Sequence, residues 1–126
     1  MKSKLEIYAL AVCFASVICL VISLGIAGYS LVSMWKPEIT INSYAYDRFQ
    51  TNDAFWEFKN RRRDDRSSSK PPEEMLTRQR LEEYSIELKG EVREGLQTLI
   101  KSLIFVLVAG VALVSHSHIA RKSRGA

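Results

Sequence analysis

The sequence predicts an all-α membrane protein: a two-span transmembrane helical hairpin with a long amphipathic helix continuous with the second span. Three observations predict it. Residues 7–34 form a run of 28 without a single charge, well beyond the roughly 18 at which a membrane-spanning helix becomes the default reading. A second apolar block, residues 96–119, lies close to the other end of the chain. Between the two, apolar residues from Leu81 to Leu103 recur at spacings of three and four, a helical period that enters the second block without interruption.

Composition sets the frame. Of the 126 residues 47% are hydrophobic and the formal charge is +4. The hydrophobic residues gather at the two ends, so the middle is too short to enclose a large core of its own. The tails carry Lys2, Lys4, Arg121, Lys122 and Arg124 against Glu6, whereas residues 36–101 hold 13 basic and 13 acidic side chains. Basic tails flanking both spans favour cytoplasmic termini. The connector would then lie in the periplasm, at the cell exterior or in an organelle lumen, and the membrane expected is a bacterial inner (plasma) membrane.

The elements follow in order. Residues 1–6 are a basic tail. Residues 7–35 form the first span; the run is far longer than the 7–15 residues of a signal-peptide core, so it reads as an uncleaved helix. Ala11, Ala15, Cys19, Ser23 and Ala27 stand at every fourth position, which predicts a ridge of small residues for close helix packing. The two cysteines behave as small apolar residues at bilayer depth and imply no disulfide. Gly25 and Gly28 mark a soft point, Tyr29 and Trp35 suit an interfacial belt, and Lys36-Pro37 ends the helix.

Residues 36–72 form an extra-membrane connector. Ile39 and Ile41 alternate with polar neighbours, a weak strand or extended signal over 39–46. Asn52 or Asp53 then caps a short helix running through Lys59. Phe55, Trp56 and Phe58 make the densest aromatic cluster in the chain. Two readings of it compete: a helix resting on lipid or on the protein's own second helix, and a docking site for a partner. Residues 61–72, with Arg61, Arg62, Arg63, Asp64, Asp65 and three serines, read as a flexible linker. The adjacent acids argue against nucleic-acid binding.

Residues 73–95 form an amphipathic helix that starts after Pro71 and Pro72 with Glu73 and Glu74. Its stripe of Leu81, Tyr84, Leu88 and Val92 suits contact with another helix, and Gly90 and Gly95 are its expected weak points. Residues 96–119 form the second span, with Ser102, Ala109 and Gly110 on a small-residue side and Lys101 snorkelling to the headgroups. His116 and His118, two apart, point to different sides of a helix and make no metal pair. Residues 120–126 are the second basic tail.

Function is read largely by exclusion. The chain has no phosphate loop, dinucleotide fingerprint, zinc spacing or nucleophile motif. No catalytic, cofactor-binding or metal residue is expected, nor a small-molecule substrate. No Asp, Glu or Arg lies in either apolar core, which argues against a transporter working alone. The expected partners are the lipid bilayer and other membrane-protein subunits or copies of the chain itself. The leading expectation is a small accessory or scaffolding subunit of a larger membrane complex. The alternative is a homo-oligomeric channel or holin-like pore former.

Overall fold

Proline and capping chemistry divide the chain into helices. The computed structural model describes residues 3–62 and 69–125, and every element among them is helical: α1 (Lys4–Trp35), α2 (Pro37–Thr40), α3 (Ser43–Arg48), α4 (Asn52–Arg62) and α5 (Glu73–Gly125). Half of the expected linker, residues 63–68 with Arg63, Asp64 and Asp65, lies outside the described residues, as does Lys2.

α1 stops at Trp35 because Pro37 disfavours helical geometry at the residue before it, and Lys36 turns out of the helix at φ −133°. Pro37 then opens α2 at a position where its missing N–H costs nothing, with Glu38 in the same turn. Asn42 caps α3 by accepting from the Tyr44 N–H at 2.9 Å. The extended segment expected over residues 39–46 is thus corrected to two short helices. Three alternating positions carry little weight against a proline start and an Asn cap.

α4 is capped one residue earlier than expected. Thr51 Oγ1 accepts from the Ala54 N–H at 3.2 Å, which leaves the Asn52 side chain for other work. α5 opens behind Pro72, whose carbonyl accepts from the Leu76 N–H at 3.1 Å, and runs through Gly90 and Gly95 unbroken. α1 likewise passes Gly25 and Gly28 as one helix. No described glycine has a positive φ, so all four sit in regular helical backbone.

The chain divides into two compact units, Met1–Leu31 with Gly95–Ala126, and Val32–Glu94. In the first, parts of α1 and α5 lie against each other. The helices bearing these parts are long and apolar enough to cross a membrane. Within their most apolar stretches only 17% of α1 and 11% of α5 is buried. What is buried is small or polar, including Ser16, Ser23, Ala27, Ser30, Ser102 and Ala109, while Phe14, Val21, Phe105, Leu107 and Val111 face outward. In the second unit, Phe49, Phe55 and Leu76 form a small core, with Trp56 and Tyr84 packed on it. Ser33 Oγ donates to Glu91 Oε1 at 2.9 Å and lies 2.9 Å from Thr40 Oγ1, tying the end of α1 to α2 and α5 within that unit.

Candidate functional site

The first unit offers a helix-packing seam. At its open end the Arg124 Nε donates to Glu6 Oε1 at 2.7 Å, and the Ser3 and Ser123 hydroxyls are 2.8 Å apart. Farther along, the Tyr8 and His116 rings meet edge-on at 5.8 Å, and Cys13 Sγ approaches the Leu113 carbonyl at 3.9 Å. These pairs run in opposite senses along the two helices. Continuing that antiparallel register puts Ser23 level with Ser102, and Ser30 level with Gly95.

The seam has a seven-residue period on both sides. Ala9, Ser16, Ser23 and Ser30 are all buried on α1, as are Gly95, Ser102 and Ala109 on α5. A strict seven-residue repeat keeps one stripe facing a partner in a left-handed helix pair, and small residues there let the backbones approach. Buried hydroxyls are costly unless bonded. Ser16 donates to the Val12 carbonyl at 2.8 Å, Ser30 to Ile26 at 2.9 Å, and Ser102 to Thr98 at 2.8 Å. Each of these three serines is satisfied by its own helix.

Of the packing residues expected from sequence, Ser23, Ala27, Ser102 and Ala109 are buried and Gly110 is half-buried, whereas Ala11, Ala15 and Cys19 are exposed. Geometry accounts for the split. A row at every fourth residue advances about 40° per step, so Ala11 and Ala27 end about 160° apart around the helix. The signal that marks the seam was present in the sequence as Ser16, Ser23 and Ser30, seven apart, and the fourth-residue count passed over it.

The second unit holds the aromatic cluster. Phe55 is fully buried, its ring 6.0 Å from that of Phe49, which in turn is 5.3 Å from Tyr84. Trp56 and Phe58 are half-buried, and the Arg48 guanidinium lies 4.0 Å from the Phe58 ring centre, with Arg62 at 5.2 Å. Phe55 is therefore covered by α5 of the same chain rather than presented to a partner. Of the two readings of the cluster this is the one in which it rests on the protein's own second helix, and it leaves Phe55 no exposed surface for the partner contact also expected of it. Leu81 stays exposed and Leu88 and Val92 half-buried. With Pro37, Tyr84 and Lys89 they line an open apolar groove of about 350 Å³.

Polar side chains aim α4 at α5. Arg80 donates from Nε to Asn52 Oδ1 at 2.9 Å, and from Nη1 to the Phe49 and Gln50 carbonyls at 2.8 and 3.1 Å. One planar fork thus satisfies the C-terminal end of α3 and holds the start of α4. Asn52 Nδ2 donates to Glu73 Oε2 at 2.7 Å and to Thr77 Oγ1 at 3.0 Å, and Lys59 pairs with Glu83 at 2.7 Å. This is scaffolding chemistry. Among the described residues no three of His, Cys, Asp and Glu converge as a metal-ligand set.

Comparison with protein-family models, with curated proteins and with solved structures finds no match to this chain. The residues alone therefore carry the reading of function.

At the start of α5, Lys70 lies 2.9 Å from Asp53 and 3.4 Å from Glu73. The Lys70 hydrogen bond, then its charge, hold the Asp53 carboxyl below its ordinary 3.8. The Asn52 hydrogen bond, then Lys70, lower Glu73 from 4.5, while the Asp53 hydrogen bond raises Lys70 from 10.5. The two lowered carboxyls stabilise the fold above their ordinary values, and that contribution fades as pH falls through their lowered ones. The raised lysine contributes below pH 10.5 and ceases to as pH climbs through its higher value. In Lys70→Met the Asp53 carboxyl, followed by NMR titration, should move up toward 3.8; an unchanged titration would remove Lys70 as the cause. At the core edge, burial first and then the Glu38 charge raise the Tyr84 phenol above 10.0, keeping it neutral at physiological pH.

Proposed function

We propose that the chain is an integral membrane protein, a two-span hairpin with both ends in the cytoplasm, acting as a small accessory or scaffolding subunit of a larger membrane complex. The observation that carries this reading is the inside-out first unit. Its helices turn serine and alanine inward and leave Phe14, Val21, Phe105 and Leu107 between 64% and 70% exposed. In water that surface would drive aggregation; in hydrocarbon it is the expected exterior, and small-residue packing is what joins helices there. A soluble core helix would have the opposite distribution. The basic tails support cytoplasmic ends, and the bacterial inner membrane remains the membrane we assign.

Partner binding belongs to the second unit. The groove along Leu81, Tyr84, Leu88 and Val92 supplies an apolar strip of the sort that receives a helix of another subunit. The pore-former alternative needs polar residues of the second span to face water. Ser102, only 4% exposed and bonded to the Thr98 carbonyl, favours the accessory reading over it.

Mild-detergent purification from native membranes tests the proposal. The chain should resist alkaline extraction and bring a stoichiometric partner with it. Leu88→Asp should lower the recovered partner about tenfold, the cost of roughly one buried anchor, while the amount of chain in the membrane stays constant. Equal recovery with Leu88→Asp would remove the groove as the contact. Steady conductance from the purified chain alone would favour the pore former.

A further inference from the structure

We propose that the open end of the first unit holds a binding groove for the phosphate diester of an anionic phospholipid. This rests on the membrane reading and extends it to a specific ligand. The groove encloses about 690 Å³ and is lined by Ser3, Leu5, Ile119, Lys122 and Ser123, contributed by the start of α1 and the end of α5.

Its chemistry is divided along its length. Leu5, 56% exposed, and half-buried Ile119 provide an apolar wall. At the polar side the Ser3 and Ser123 hydroxyls are 2.8 Å apart. One of the two protons serves their mutual hydrogen bond, so the other remains able to donate to an anion. The neighbouring cations are not equivalent. Arg124 is taken up by Glu6 at 2.7 Å, whereas Lys122 has no carboxylate partner among the described residues. A cation beside a spare hydroxyl donor asks for a phosphate oxygen, and an apolar wall beside both asks for the glycerol and first methylenes of an acyl chain. A phospholipid presents that sequence of groups; free phosphate lacks the apolar part. Charge complementarity favours an anionic over a zwitterionic headgroup, because the surrounding tails are strongly basic.

The test uses the full chain in mild detergent, with native mass spectrometry of bound lipid. Phosphatidylglycerol and phosphatidylcholine are added at equal concentration. The wild-type chain should retain phosphatidylglycerol preferentially, as a single adduct. Lys122→Gln should weaken that adduct about fivefold, the effect of one lysine on an anionic lipid. Arg121→Gln, one position away on another side of α5, should leave it within about twofold. Ile119→Trp, which fills the groove and keeps every charge, should also remove the adduct. Equal losses in Lys122→Gln and Arg121→Gln would overturn the groove in favour of a diffuse basic tail, as would a retained adduct in Ile119→Trp. Displacement of the lipid by millimolar inorganic phosphate would overturn the lipid assignment. The membrane reading fails separately: alkaline extraction would then release the chain from membranes, whereas a missing lipid preference in a chain that resists extraction strikes only the groove.

Discussion

Phe55→Ala is expected to destabilise the second unit by about 3–5 kcal/mol, the usual range for deleting a buried aromatic ring. Phe55 has no exposed surface and packs with Phe49 and Leu76, and the Lys59 ammonium lies 4.8 Å from its ring centre. The substitution removes dispersion contacts, opens a cavity and takes away that cation–π contact together. Hydrogen exchange in detergent should show it directly. Amides of α4 should lose most of their protection, and the half-buried Trp56 should shift its emission toward the red. Tyr8 and His116, in the other unit, should keep their edge-on contact. A cost below about 1 kcal/mol would mean that α4 is not held by this core.

The second large effect lies in the helix seam. Ser23→Leu and Ser30→Leu are each expected to cost about 1–3 kcal/mol, and more in combination, because a longer side chain must be forced between closely approaching backbones. Ser30 is 1% exposed and Ser23 8% exposed. Ala15→Leu, on an exposed position of α1, should stay within about 0.5 kcal/mol. Equilibrium unfolding in mixed micelles separates these outcomes. If Ala15→Leu proved as damaging as Ser23→Leu, the seven-residue seam would be the wrong face. Serine is informative here because its effect reverses with depth. On the outer surface Ser→Leu would improve contact with hydrocarbon, whereas in the seam it separates the helices.

Much of the helical organisation was legible in the residues. The two apolar runs, Pro37 after Lys36, and Pro71-Pro72 ahead of two glutamates each act through local chemistry, and local chemistry is what a sequence displays. The extended reading of residues 39–46 failed on the same scale, since a helix-starting proline and the Asn42 cap outweigh a brief alternation. The seam was legible only in part. Ser23 and Ala27 lie on it, but a fourth-residue row winds around the helix, while the seventh-residue row of Ser16, Ser23 and Ser30 stays on one side.

The sequence by itself determined that this protein is helical, that two of its helices are apolar enough to cross a membrane, and where charge accumulates at its ends. These are properties of composition and short-range spacing. The tertiary structure decided which apolar residues remain available. Phe55 and Leu81 are both apolar residues of the polar middle of the chain, and both are expected from the sequence to meet a partner. Phe55 is inside because Leu76 of α5 meets it and Arg80, reaching Asn52, holds α4 in place. Leu81 is outside because no described helix of its own unit covers it. Burial depends on contacts between residues some twenty to thirty apart in the chain, and no local pattern encodes those. The same holds at the open end, where Glu6 takes up Arg124 and so leaves Lys122, two residues earlier, as the cation in the groove.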